Sequence, residues 1–215
     1  MKKMMLAAVL AAGLGLTFAG SASAAQWAAT PGQNAESTAM REFGSARAPF
    51  GFVSFCERFP ADCDRSNSAE TRASLTLARW AELVEVNTLV NASVAPVTDM
   101  ELYRTVEFWT YPQGEGDCED YVLAKRRMLI ERGWPASSLL ITVVRDEDNL
   151  GHAILSVATD HGDFILDNKN GGINYWQDTP YKFQKRQSQI DPREWVSLSP
   201  VEGLRLDPAD PVAAR

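Results

Sequence analysis

Past Gly133 the hydrophobic period of the chain changes once, and that change constrains its folding more than any other feature. Residues 118–132 contain neither Gly nor Pro. Asp117 stands at the N-cap position, acids occupy the first turn, bases follow and Gly133 falls just past the end, which together predict a helix. Beyond it, 139–144, 152–158 and 163–167 read as three strands joined by turns. Cys118 therefore opens a helix, His152 opens a strand and Asp167 closes another.

Upstream, Leu75, Ala78, Trp80, Leu83, Val84, Val86, Leu89 and Val90 recur at helical spacing, so a helix is expected over about 69–91, stopped near Pro96. Thr98 and Asp99 cap a second helix expected to reach about Trp109, and 111–116 is a turn-rich loop. With 215 residues, 45% apolar and 23% charged, the composition is that of one globular domain. That domain is expected over 49–200, after a leader at 1–24 and a loose arm at 25–48, and before an acidic tail at 201–215. The 21 basic and 28 acidic side chains give a net charge of −7. No basic face for nucleic acid is expected.

The leader has the form of a secretory signal peptide: Lys2 and Lys3, then an apolar stretch, then Ala22, Ser23 and Ala24 at a small-residue cleavage site. Glycines interrupt the apolar run, which is short for a span of ~20 residues, so no stable membrane insertion is expected after cleavage. In an oxidising compartment Cys56 and Cys63 are the obvious pair. A straight helix would hold them about 10 Å apart, but Pro60 lets the chain turn between them. Two free buried thiols are the other reading. Cys118 is left over, as half of an intermolecular bridge, an inert thiol or a reactive one.

A helix start favours a thiolate through its dipole and its free backbone N–H groups. The chain has two histidines. His152, beside Gly151, is the better general base, whereas His161 lies in a turn. Asp167 ends an apolar strand and is the candidate to orient the imidazole, with Asn168 as the substitute. A turn centred on His161 and Gly162 puts His152 and Asp167 on one face but four residues apart, about 13 Å. A triad then needs a bulge or a shifted register. Otherwise the two are a strand-end core histidine and a capping aspartate.

Asp117, Glu119 and Asp120 surround Cys118, and like charge raises a thiol pKa. Compensation comes from protonated His152 or from a hard cation, calcium in an exported protein. The alternative is an acidic first turn that only supports the helix dipole. The stretch from Asp146 to Gly151 superficially matches a calcium loop, but Val157 occupies the position of the bidentate Glu, and the motif is rejected.

Gly116 to Tyr121, Gly151 to Ala153 and Leu166 to Asn168, with Trp109 upstream and Trp176 downstream, resemble the bacterial transglutaminase-like cysteine proteinases over about 49–198. The resemblance implies an α+β fold, papain-like and transglutaminase-like, with the nucleophile helix packed on an antiparallel sheet. It also implies Cys118 as nucleophile, His152 as general base and acid, Asp167 as the orienting group, and calcium (Ca2+) held by Asp117, Glu119 and Asp120. The best-known branch of the family is periplasmic and releases large surface adhesins by cutting near their N-termini. For this chain it implies a periplasmic cysteine endopeptidase in biofilm control. Its partners would be a protein substrate, such as the N-terminal region of an adhesin, and an inner-membrane regulator. In the implied acyl transfer, the Cys118 backbone N–H supplies one oxyanion donor, and the Trp109 indole is either the second or a buried aromatic.

Two other readings compete. One is an acyltransferase of the transglutaminase type with the same triad, which product analysis separates. The other is a calcium-dependent periplasmic binding module in which Cys118 is inert and alkylates slowly. Trp80, Trp109, Trp134, Trp176 and Trp195 are scattered over different elements and read as core residues, not as a carbohydrate groove.

Overall fold

The computed structural model describes residues 38–64 and 71–200. The expected leader, residues 25–37 of the arm and the tail lie outside the described residues. The chain runs through β1 (Ser45–Ala46), α1 (Phe50–Arg58), a 3-10 turn (Pro60–Cys63), α2 (Leu77–Ser93), β2 (Ala95–Pro96), α3 (Asp99–Tyr103), β3 (Glu115–Gly116) and α4 (Cys118–Glu131). Then follow β4 (Leu139–Arg145), β5 (Gly151–Thr159), β6 (Gly162–Leu166), β7 (Asn174–Tyr175), β8 (Lys182–Gln187) and β9 (Trp195–Ser197).

Seven strands form one sheet in the order β1-β9-β8-β4-β5-β6-β7, with every neighbouring pair antiparallel. Strands β2 and β3 make a separate parallel pair. Helix α4 packs across β5 and β4, so the architecture is the α+β arrangement expected, with the helix that carries Cys118 on an antiparallel sheet. No helix among the described residues is long and apolar enough to cross a membrane.

Both faces of the sheet are apolar and covered, which is why its strands read as nearly continuous hydrophobic runs. Leu139, Ile141 and Val143 of β4 and Ala153, Leu155 and Val157 of β5 share a core with Phe52 and Phe55 of α1, Leu83 and Val86 of α2, and Tyr121, Val122 and Leu129 of α4. Each of the valine, leucine, isoleucine and phenylalanine side chains contributes roughly 1.5–3 kcal/mol by leaving water. On the opposite face Val144, Ile154 and Ile165 pack with Met40, Tyr181 and Phe183. Met40 comes from residues assigned to the arm by the sequence reading. Its N–H donates to the buried Asp163 carboxylate, which also accepts from Arg72 and Arg186, while β1 pairs with β9.

Two helices are shorter than their periodicity suggested. Helix α2 starts at Leu77, where the Thr76 hydroxyl caps Arg79 N, because Ala73 is drawn into a bridge with Thr159. Helix α3 stops at Tyr103 instead of reaching Trp109. Arg104 takes a positive φ of 61°, and the Asp99 carboxylate accepts from Phe108 N, folding the chain back on itself. The cysteine pair forms as expected: α1 ends at Arg58, Pro60 opens the 3-10 turn, and the Cα atoms of Cys56 and Cys63 come to 5.6 Å with the disulfide closed.

The hairpin between β5 and β6 turns one residue earlier than expected. Thr159 pairs with Gly162 and Leu155 with Leu166. Gly162 is the first residue of β6 and not part of the turn; its φ of +118° and the Thr38 hydroxyl, which an added Cβ would meet at 2.5 Å, both require glycine there. The register therefore shifts by two. Asp167 falls opposite Ile154, two residues from His152 and on the same face, with no bulge between β5 and β6.

Candidate active site

Strand β6 ends opposite Leu155, so the first residues of β5 pair only with β4. On that open side Ala153 N donates to Cys118 Sγ at 3.3 Å. The thiol thus occupies a place that a strand carbonyl would otherwise fill, next in sequence to His152. Cys118 is the first residue of α4, where the leading N–H groups have no helical acceptor. Asp117 stands at the N-cap, but its side chain does not cap α4; Oδ2 instead accepts from Asp99 N at 3.1 Å.

His152 Nε2 lies 2.8 Å from Asp167 Oδ1, with both residues buried. Burial pushes the Asp167 carboxyl up, but hydrogen bonds from His152, Tyr181 and Lys169 N outweigh it and hold it below the usual carboxylate range. An ionised Asp167 accepts only, so Nε2 carries the hydrogen and Nδ1 the lone pair; the tautomer follows from the partner. His152 Nδ1 has no hydrogen-bond partner among the described residues. Asn91 Nδ2 fixes the Asp167 backbone from α2, donating to its carbonyl at 2.8 Å.

The structure adds Asp99 to the acids that flank Cys118. Asp99, Asp117 and Glu119 bring ligand oxygens within 4.8 Å of one another. Asp120 Oδ1 accepts from Thr110 N at 2.8 Å, while its Oδ2 is buried without a hydrogen-bond partner among the described residues. Asp99 escaped sequence reading because it lies 18 residues before Asp117 and looked only like the start of a helix. Asp99 Oδ1, Asp117 Oδ1 and Glu119 Oε1 are all buried without a hydrogen-bond partner among the described residues. Three orphaned carboxylate oxygens in one place fit a hard, oxygen-liganded cation.

Without a cation this cluster holds protons. Burial, then the Asp117 charge, push Asp99 up to about 6, and the same causes drive Glu119 well above the carboxylate range. Asp120 rises to about 8, chiefly by burial. The Cys118 thiol is pushed up by burial first, then by Glu119 and Asp117, against the lowering effect of Ala153 N. Its hydrogen points to Glu119 Oε2 at 3.3 Å. The Trp109 indole, one candidate oxyanion donor, donates to Glu107 Oε2 at 2.7 Å and is fully buried; it is the buried aromatic of the two readings. His161 stays in its turn, bonded to Asp160.

The α+β fold thus sets a helix-start thiol against the strand that carries a carboxylate-anchored imidazole. The family model of the bacterial transglutaminase-like cysteine proteinases matches residues 42–202. The chain belongs to that family and is a cysteine peptidase of the transglutaminase-like type. Solved structures of Legionella pneumophila LapG are similar to it. The EGTA-treated form is 26% identical over 50% of this chain and 62% of that one, with a TM-score of 0.44. The calcium-bound form is 21% identical over 63% and 73%, with a TM-score of 0.46. A third LapG structure is 24% identical over 58% and 72%, with a TM-score of 0.47. No curated protein matches the chain.

Proposed function

We propose that this chain is an exported, calcium-binding cysteine endopeptidase acting through Cys118, His152 and Asp167. The observation that carries the reading is the free, buried Nδ1 of His152, whose other nitrogen is anchored on Asp167, beside the backbone amide that touches the Cys118 sulfur. In the reaction His152 Nδ1 takes the thiol proton and Cys118 Sγ attacks a substrate carbonyl. The developing oxyanion is met by the Cys118 backbone N–H. His152 then gives its proton to the leaving amine, and water activated by the same nitrogen releases the acyl group.

Asp99, Asp117 and Glu119 are the residues that would hold calcium, which takes six to eight oxygen ligands and accepts carboxylates readily. What the ion supplies is positive charge beside a thiol otherwise surrounded by acids. The calcium named for one LapG structure supports this choice of ion. The disulfide and the signal-like leader support a periplasmic location. The family supports a protein substrate, and an adhesin cut near its N-terminus is the one we propose, under an inner-membrane regulator.

The test is iodoacetamide labelling of Cys118 against pH, read by mass, with calcium and with chelator, alongside His152→Ala. Fast labelling below pH 7 that His152→Ala abolishes is expected. Labelling only near pH 8.5, as for a free thiol, overturns the reading. Product mass with and without an added amine separates hydrolysis from acyl transfer.

A further inference from the structure

We propose that Tyr181 is a positioning residue of this site, holding Asp167 in register with His152; the inference rests on the peptidase reading above. Asp167 is buried, so each of its carboxylate oxygens needs a donor. Oδ1 accepts from His152 Nε2 and from Lys169 N, while the donor to Oδ2 is the Tyr181 hydroxyl. The terminal torsion of an aspartate is broad and nearly two-fold. With Tyr181 bound to one oxygen, the carboxylate cannot swing and the other stays on the imidazole.

The backbone is built to deliver this tyrosine. Val143 pairs with Lys185 but Val144 pairs with Phe183, so β8 carries one extra residue, Gln184, against β4. That bulge reverses the phase of β8. Without it, even-numbered residues such as Lys182 would share the face of Val144. With it, Phe183 and Tyr181 join Val144 and Ile154 on that face. Bulges commonly re-aim side chains beside active sites. The Tyr181 ring also packs edge-on against His152, with centroids 5.6 Å apart and planes at 66°, which covers the hydrogen-bonded pair. The charged groups around the pair are Lys125 on α4 and Asp146 and Glu147 on the turn after β4.

The test is Tyr181→Phe, which keeps the ring and removes the hydroxyl, with folding checked by thermal melting. The readout is the His152 Nε2–H proton, followed by NMR and assigned with His161→Gln since the chain has two histidines. Its exchange with water should quicken about tenfold in Tyr181→Phe, and Cys118 labelling at pH 7 should slow by about three- to tenfold. In the wild type the Tyr181 hydroxyl proton should be visible and show cross-relaxation to the His152 ring. An unprotected hydroxyl in the wild type, or unchanged Nε2–H exchange in the folded variant, overturns the proposal. An ordinary, unactivated thiol in the wild type sinks the peptidase reading instead, while the exchange comparison still decides the role of Tyr181.

Discussion

His152 and Asp167 are diagonal neighbours across the end of the β5–β6 ladder, joined by a 2.8 Å hydrogen bond where β6 has already stopped. Position and charge both matter in this pair. Asp167→Asn preserves the shape but offers an amide where a carboxylate accepts, and so favours the wrong imidazole tautomer. Turnover should fall on the order of 10³- to 10⁴-fold in a variant that still melts cooperatively, as single-turnover kinetics on any cleaved peptide will show.

The sign of the acid response of the pair is fixed by Asp167, whose carboxyl is held below its unfolded value. Its contribution to stability is present above about pH 4 and lost as pH falls through the lower folded value. In Asp167→Asn that part of the acid loss should be gone, leaving a flatter stability curve below pH 4 in urea titrations at successive pH values.

The acidic cluster works in the opposite direction. Asp99 at about 6 and Asp120 at about 8 bind protons more tightly folded than unfolded. Metal-free protein should therefore melt at a lower temperature as pH rises from 5 to 8. Millimolar calcium should raise the melting temperature most at pH 8 and flatten this slope, since the ion replaces the protons. A metal-free melting temperature that climbs over the same range would contradict the assignment.

Asp99→Asn and Asp120→Asn separate the cluster in the structure from the three acids flanking the cysteine in sequence. Calcium affinity by titration calorimetry should drop at least about tenfold for Asp99→Asn, because a charged ligand is lost. The loss for Asp120→Asn should be smaller, since one of its two oxygens is held by Thr110 N.

Cys56→Ser opens a short loop whose closure restricts the unfolded chain, so unfolding free energy should fall by about 2 to 3 kcal/mol. Denaturant midpoints with and without reductant will check this, and reductant should not further lower the variant.

Local signals were legible in the sequence where one element speaks for itself. The helix from Cys118, the three strands after it and the cysteine pair across Pro60 all follow from spacing and punctuation. What escaped depends on contacts between distant segments. The hairpin register turned on whether Gly162 belongs to turn or strand; it pairs with Thr159 and lies against Thr38, more than a hundred residues away. Asp99 joins the cluster through the parallel pairing of β2 with β3, which sets it beside Asp117, and Tyr181 reaches Asp167 through a bulge opposite β4. The three flanking acids were visible as a group, but which of them share a centre was not.

Helix α4 is buried from Cys118 through Leu123, and again at Lys125, Arg126 and Leu129. It behaves as an anvil and not as a moving part: to re-aim the sulfur, the helix would have to be lifted out of the core. Any tuning of which bond is cut must then come from the rims. The exposed Arg104 and Val106 and the exposed stretch at 147–150 are where an engineer seeking a new cleavage preference would work, leaving the anvil untouched.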